Sequence, residues 1–556
     1  VSGVLSMPED IRIVPLGGLG EVGKNMTVFE MGRDAIIVDT GIMFPANDML
    51  GVDYIIPDYQ YLRERDDLKI HGVLYTHGHE DHIGAVKHIV EHFPGIHLYA
   101  TKLAAGLIEV KLREANLIGN AQIHVFDSGD TLEVGPWTVE TFHVNHSIPG
   151  GVGFAINTPY GLIVHTGDYK FDNTPVDGKA PDYAKLASFG ARGVKLLMGD
   201  STNAEVPGWT PSEALISEGF DRVFRDAPGR IVVATFASLI SRVQQVVDTC
   251  RKYNRYIAFA GHSMKRNVDM AMELGILKVP DNMIIDLGEI DNKPPKKVVV
   301  MATGSQGEPS AVLSRMAFGR HRIEVQEGDT IIISAHPIPG NEEMVSRIIN
   351  DLLRRRANVV YDPIEKVHVS GHGYQEDMKL LMNLVRPQCI MPIHGELRML
   401  MSHKRLAMEN GFKAKDIYVV ENGTVIEINQ RGVHVGERVP GGYVFVDGSG
   451  VGDVGRAVLR DREILSQDGF VTIVVNVDRK KHKVIGQPEI ISRGFVYLRE
   501  ADDLMNKIND VVRGSIQSAN GTSPRKLQEK LEDSVSQMLY NETRRRPMVF
   551  SVINEN

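Results

Sequence analysis

Residues 72–93 read GVLYTHGHEDHIGAVKHIVEHF, and this stretch decides the fold. An apolar strand pattern, GVLYT, runs into Thr76-His77-Gly78-His79-Glu80-Asp81-His82, and a helical pattern follows at once. Alternate residues leaving a strand point to the same side, so His77 and His79 can hold one cation. Asp81 and His82, entering the helix, can face a neighbouring one. Zn2+ and similar ions take imidazole nitrogen and carboxylate oxygen at about 2.0–2.2 Å, which suits this set. The motif is not the HExxH helix of zinc proteases, because Glu80 has its next histidine two residues on rather than three. One isolated histidine would read as an ordinary surface or core imidazole. His77, His79, Asp81 and His82 together within the six positions 77–82, at a strand end, do not.

Matching residues recur further along. His146 in VNHSIPGG, Asp168 in VHTGDYKFD and His394 in MPIHGE each follow an apolar, strand-like stretch and stand beside a small residue or turn. Residues 11–200 carry short β-branched strands such as AIIVD (35–39) and GLIVHTG (161–167), with a helical stretch at 103–116. From about 208 the rhythm changes. IVVATF (231–236), YIAFAG (256–261), VVVMATGS (298–305) and TIIISA (330–335) are continuous apolar runs, as in strands buried on both faces. Helical patterns at 238–253, 264–277, 309–318 and 341–356 lie between them, which implies a parallel sheet flanked by helices. After about 363 the histidine chemistry returns, so the first domain is completed there.

The expected divisions are therefore 1–207 for the first part of the strand-rich domain, 208–362 for an α/β insert and 363–440 for the completing part. Residues 441–454, within a glycine-rich stretch, read as a linker, and the stretch begins with a short strand. A small α+β domain over 455–556 has strands FVTIVVNV, GFVYL and MVFSV and helices at 501–518 and 525–543.

The glycine loop Gly18-Leu19-Gly20-Glu21-Val22-Gly23 matches a dinucleotide-binding fingerprint, and through Lys24 it nearly matches a phosphate-cradling loop. Both readings need a helix immediately afterwards. NMTVFEMGRDAIIVD instead alternates, turns at Gly32-Arg33-Asp34 and continues as a strand, so a tight turn between strands is preferred.

The chain has 556 residues, 42% hydrophobic and 24% charged, as in an ordinary globular protein. No apolar run approaches the ~18–20 residues needed to cross a bilayer. VSGVLSMPED at the N-terminus lacks the pattern of a secretion signal, and Met7 looks like a start preceded by a short extension. With Cys250 and Cys389 as the only cysteines, no disulfide framework is implied and a reducing cytoplasm is expected. A net charge of −9 argues mildly against a nucleic-acid partner, although local fields can override it. The basic runs Arg354–Arg356, Arg479–Lys481 and Arg544–Arg546 read as solvated faces.

HGHEDH followed by a later His, a later Asp and a distant His resembles the ligand set of the metallo-β-lactamase superfamily. The interruption after Asp200 resembles its β-CASP group. Within that group, MGDSTNAEVPG (198–208), ATGSQGEPS (302–310), SAHPIPGNE (334–342) and HVSGHGYQED (368–377) resemble the ribonuclease J family. The resemblance runs over essentially the whole chain and implies a metallo-β-lactamase αββα sandwich with an inserted parallel α/β domain and a small α+β C-terminal domain.

It further implies two divalent cations, Zn2+ in the first place with Mn2+ as the alternative. One would lie on His77, His79 and His146 and the other on Asp81, His82 and His394, with Asp168 bridging them. Asp39 matches the family's aspartate that orients a metal histidine. Asp200 and His372 match an acidic and a histidine motif that could protonate the leaving oxygen. Without the family these two would read as a helix N-cap and a turn residue.

The resemblance implies hydrolysis of RNA by a metal-activated hydroxide at Asp81 and Asp168, exonucleolytic from a 5′-monophosphate end and also endonucleolytic, in RNA decay and maturation. His368, Ser370, Gly371, His372 and, more weakly, Ser305 are candidates for the 5′-phosphate pocket. The implied partners are RNA, a second or further copies of the chain in a dimer or tetramer, and a paralogous subunit or other RNA-decay proteins; a membrane is not among them. Two rivals remain open: a thioester or lactam hydrolase with the same metals, and a weakly active RNA-binding paralogue.

Overall fold

The computed structural model describes residues 9–46, 48–338, 340–478, 483–495, 502–518 and 523–555. An eight-stranded sheet runs in the order Gly432–Arg438, Thr424–Asn429, Ile11–Gly17, Met26–Met31, Asp34–Val38, Lys69–Leu74, Ile96–Thr101, Ala121–Phe126. A six-stranded sheet runs Cys389–Ile393, Val194–Asp200, Gly161–His165, Val152–Thr158, Trp137–His143, Thr131–Val134. Ile11, Phe29, Ile36 and Leu74 of the first sheet share one core with Phe154, Ile163, Leu196 and Met198 of the second. Between the last two, Leu197 faces the other way and packs under Leu186, Phe189, Met378 and Leu381 of the helices Tyr183–Arg192 and Gln375–Val385. The period of two along a strand thus buries both faces, and each such leucine contributes roughly 1.5–3 kcal/mol. This is the αββα sandwich expected from the sequence.

The strand directions position the site. Val194–Asp200 runs parallel to Gly161–His165 on one side and to Cys389–Ile393 on the other. Asp34–Val38 and Lys69–Leu74 are parallel as well. Asp168, Asp200 and His394 therefore lie at or just beyond the C-terminal ends of three adjacent strands, and Asp39 and His77 just beyond two strands of the facing sheet. In sheets of this kind ligands gather at such ends.

After Asp200 the chain leaves the six-stranded sheet and returns to it at Cys389. In between, Tyr256–Ala260, Val298–Ala302, Ile231–Ala234, Thr330–Ile333 and Asn358–Val360 form a parallel sheet, in that order, with its own core around Val232, Ala258, Val300 and Ile331. The expected helices appear as Ile240–Lys252, His262–Glu273, Val312–Ala317 and Glu342–Arg354. Helix Ala214–Asp226 was not read from the sequence, although Ile216, Phe220, Val223 and Phe224 repeat at helical spacing and are buried. No helix among the described residues is long and apolar enough to cross a membrane.

At the glycine loop, Ile11–Gly17 and Met26–Met31 pair antiparallel with no helix between them, and Met26–Met31 turns directly into Asp34–Val38. The nucleotide-loop geometry is absent there.

The described chain divides into two compact units, Val1–Phe44 with Ile55–Val444, and Pro45–Tyr54 with Phe445–Asn556. The stretch read as a linker beginning with a strand contains Tyr443–Asp447, which hairpins onto Gly450–Val451. It also gathers an excursion from near the N-terminus. Asp53 donates its backbone N–H to Val446 at 2.9 Å, and Arg462 donates to the Leu50 carbonyl at 3.0 Å. In the second unit Phe470–Asp478 lies between Lys483–Arg493, antiparallel, and Met548–Glu555, parallel. Val471, Ile473 and Val475 pack on Ile508, Val512, Leu531 and Val535 of helices Asp502–Gln517 and Pro524–Thr543. Of the strand expected at 494–498, residues 496–498 lie outside the described residues, as does the basic run 479–481.

Candidate metal centre

Seven side chains separated by up to 317 positions converge at these strand ends. His77 Nε2 and His146 Nε2 each lie 3.0 Å from His79 Nδ1. The Asp168 carboxylate closes this set, with Oδ2 at 3.6 Å from His77 and 3.7 Å from His146. A second set faces it. His82 Nε2 is 3.1 Å from Asp168 Oδ2 and 3.6 Å from Asp81 Oδ2, and His394 Nε2 is 3.2 Å from Asp81 Oδ2. Ligands about 2.0–2.1 Å from a tetrahedral ion stand about 3.3 Å from one another, so both sets have the spacing of a cation's donors. Asp168 Oδ1 is buried without a hydrogen-bond partner among the described residues. A buried carboxylate oxygen left in this way is costly unless a cation satisfies it. The donors fit divalent metal ions. Asp168, Asp200, His372 and His394 form a third overlapping group of the same kind.

Neighbouring groups fix which nitrogen each histidine presents. Asp39 Oδ2 accepts from His82 Nδ1 at 2.8 Å, and its Oδ1 accepts from the Thr76 N–H at 2.8 Å. Asp39 has φ +62°, a left-handed conformation that aspartate tolerates better than most residues. His146 Nδ1 donates to the Gly371 carbonyl at 2.8 Å, and His394 Nδ1 lies 2.7 Å from Thr202 Oγ1, which donates to Asp200 Oδ1. Each contact leaves Nε2 with a lone pair toward the cluster. Thr202 lies within the motif 198–208, and its one signal in the sequence is a hydroxyl two residues beyond a strand-end aspartate.

Charge divides the two sets. Burial pushes His77 and His146 well below the usual histidine value and His79 down to about 4. Burial works the same way on His82 and His394, but carboxylates outweigh it. Asp168, Asp81 and Asp39 raise His82 well above its ordinary value, and Asp168 with hydrogen bonds to Asp200 and Asp81 brings His394 up to about 10. The histidines of the first set are held neutral, whereas those of the second lie among carboxylates that favour positive charge there.

His372 Nδ1 stands 2.8 Å from Asp200 Oδ2 and 3.9 Å from Asp168 Oδ2. Asp200 does not cap a helix; its Oδ1 accepts from the Thr202 N–H at 2.9 Å in a local turn. The His372 side chain is 19% exposed and that of Asp81 30%, and His79 is half-buried, whereas His77, His82, His146, Asp168 and His394 are at most 3% exposed, so the cluster opens on the side of the first three. Among the phosphate-pocket candidates, Ser370 Oγ accepts from Asn203 at 2.7 Å and from the His372 N–H at 3.2 Å. At Gly371 a Cβ would meet the His146 ring at 2.6 Å, so this glycine allows the segment to touch a candidate ligand. His368 is buried with Nδ1 unpartnered among the described residues, its ring 4.5 Å from that of His336. Ser305 is buried beyond the strand Val298–Ala302, beside Gln306, which donates to the His336 carbonyl at 2.8 Å.

Four family models match the chain. They describe the metallo-beta-lactamase superfamily over residues 19–262, the beta-CASP domain of ribonuclease J over 228–352, a Zn-dependent metallo-hydrolase RNA specificity domain over 356–420 and the ribonuclease J C-terminal domain over 457–556. Ribonuclease J2 of Bacillus subtilis is 40% identical over 98% of this chain and 99% of its own length. Ribonuclease J 1 of Streptococcus pyogenes is 39% identical, and Ribonuclease J 2 of Staphylococcus aureus 36%, each over 98% of both chains. A solved structure of a protein of unknown function from Enterococcus faecalis shares the fold over 75% of this chain, with a TM-score of 0.53 and 16% identity.

Proposed function

The chain belongs to the ribonuclease J family and is a metal-dependent ribonuclease, and from that premise we propose that it hydrolyses RNA phosphodiester bonds at the His–Asp cluster, working from 5′-monophosphate ends and also internally. The observation that carries this reading is the pair of donor sets sharing the Asp168 carboxylate, with the Asp200–His372 pair against its open side.

His77, His79 and His146 would hold one divalent cation and Asp81, His82 and His394 a second, Zn2+ or Mn2+, with Asp168 common to both. Bound there, the cations would neutralise phosphate charge and lower the pKa of water. The chain's own groups supply orientation and proton transfer. Asp39, Gly371 and Thr202 orient ligand imidazoles. Asp200 holds His372 by Nδ1, leaving Nε2 to pass a proton to the departing 3′-oxygen. Water oxygen becomes bonded to phosphorus as the P–O3′ bond breaks, leaving a 5′-phosphate and a 3′-hydroxyl. Ser370, Gly371, His372 and His368, with Ser305 in a lesser part, line the proposed 5′-phosphate pocket. The C-terminal unit is proposed to join copies of the chain as a dimer or tetramer, with a paralogous subunit or other RNA-decay proteins as further partners, in the cytoplasm.

Incubation with 5′-labelled RNA ending in monophosphate or in hydroxyl, with and without chelator, tests the reading. Metal-dependent release of mononucleotides, faster from the monophosphate, is the expected result. Cleavage of a model thioester with intact RNA would overturn it.

A further inference from the structure

The segment that carries His372 is anchored one carbonyl at a time. The Val367 carbonyl accepts from Ser334 Oγ at 2.6 Å and from Arg242 Nη1 at 3.1 Å. The Ser370 carbonyl accepts from Lys170 Nζ at 3.1 Å and that of Gly371 from His146 Nδ1 at 2.8 Å. The His372 carbonyl accepts from Asn203 Nδ2 and Thr210 Oγ1, each at 3.1 Å. Two of these donors are buried cations from different parts of the chain. Lys170 follows Asp168 by two residues, and Arg242 belongs to the insert helix Ile240–Lys252.

Both cations end on one carboxylate. Glu213 Oε1 is 3.1 Å from Lys170 Nζ, and Oε2 is 3.0 Å from Arg242 Nη2. The side chains of Lys170, Arg242 and Glu213 are 0%, 1% and 6% exposed. Glu213 is itself held: its N–H donates to Asp172 Oδ2 at 2.9 Å, and its carbonyl accepts from Gln245 Nε2 at 3.0 Å. The plain alternative is an ion trio that only joins insert to sandwich. Buried ions are a poor device for that purpose, because apolar side chains of similar volume stabilise as well or better. What the trio adds is direction. Each cation keeps a donor aimed at a specified carbonyl, and the two carbonyls lie on the residues leading to His372.

We propose that Glu213 is a positioning residue for the reaction: by holding Lys170 and Arg242 it fixes the Val367 and Ser370 carbonyls and so sets the reach of His372 over the metal centre. This rests on His372 acting in catalysis as described above. Its substitution lowers kcat mainly through His372, and a loss of metal or a large rise in KM would instead mark an effect through Gly371 or Ser370 of the same segment.

The test measures kcat and KM on 5′-monophosphorylated RNA, with metal content, for Glu213→Gln in the native and His372→Ala backgrounds. A displacement of about an ångström in a reacting group costs up to about a hundredfold. Glu213→Gln is expected to lower kcat about tenfold or more, with KM changed less than about threefold and metal content kept. In the His372→Ala background it should lower kcat no further. If Glu213→Gln fails to fold, Ser334→Ala replaces it; this removes one anchor of Val367 without unpairing a charge, and should lower kcat about two- to fivefold in the native background only. An equal loss in both backgrounds overturns the positioning role and leaves the catalytic reading standing. Native kcat in His372→Ala itself overturns both.

Discussion

Residues 76–82 and residues 367–372 both deliver histidine to one centre, and they are built in opposite ways. The first stretch carries four donors on one strand end and one helical turn, and Asp39, from a neighbouring strand of the same sheet, steadies it by accepting from Thr76 and His82. The second carries the single imidazole proposed to pass a proton, on a segment without regular structure. It is held through Lys170, Arg242, His146, Asn203 and Thr210, between 125 and 225 positions away where the bonds link Val367, Ser370 and Gly371 to Arg242, Lys170 and His146. Local geometry suffices to aim a ligand that a cation will also hold. A proton donor, as proposed for His372, has no such help, so the fold must aim it from a distance.

Substitutions can break or sharpen this contrast. The largest effect is expected from His77→Ala with Asp81→Ala, which removes one donor from each set. RNA cleavage should fall at least about a thousandfold while filter binding of RNA is kept, and digestion at the native rate would place the site elsewhere. Asp200→Asn and His372→Ala come next, each lowering kcat about a hundredfold or more with metal content unchanged by elemental analysis. Gly371→Ala joins the two regions directly, because its Cβ has no room beside the His146 ring. Metal titration should show affinity weakened about ten- to a hundredfold, and unchanged affinity would mean the segment is free to move aside. Asp39→Asn keeps the left-handed backbone while removing the carboxylate; about a tenfold loss of metal affinity is expected, falling on the set that contains His82. The smallest effect is expected at Arg354 and Arg356, whose guanidinium groups pair with Asp351 and with Glu327. Their replacement by Ala should change cleavage less than about twofold.

Much of this was legible beforehand. Four of the insert's five strands show as unbroken apolar runs because they are buried on both faces, and the runs outlast the strands: 298–305 stops at Ala302, just before the turn at Gly304, which has φ +108°, while Asn358–Val360 is too short to stand out. Helix Ala214–Asp226 is hard to see in the sequence because its apolar stripe begins straight after a loop rich in Pro and Gly. In the site, His77, His79, Asp81 and His82 announce themselves by spacing. Glu213, Lys170 and Arg242 carry no such mark, since charged residues are usually solvated and nothing in their neighbours tells that these three are buried together.

From the order of residues alone follow the alternation that makes two-faced strands, the clustered donors at one strand end and the placing of an α/β insert between two parts of a sandwich, because each depends on periods of two to four residues. Tertiary structure alone decided that Asp168, Asp200 and His394 stand side by side, since three strands distant in the chain run parallel in one sheet, and that one buried carboxylate serves two cations, since burial is a property of the packed whole.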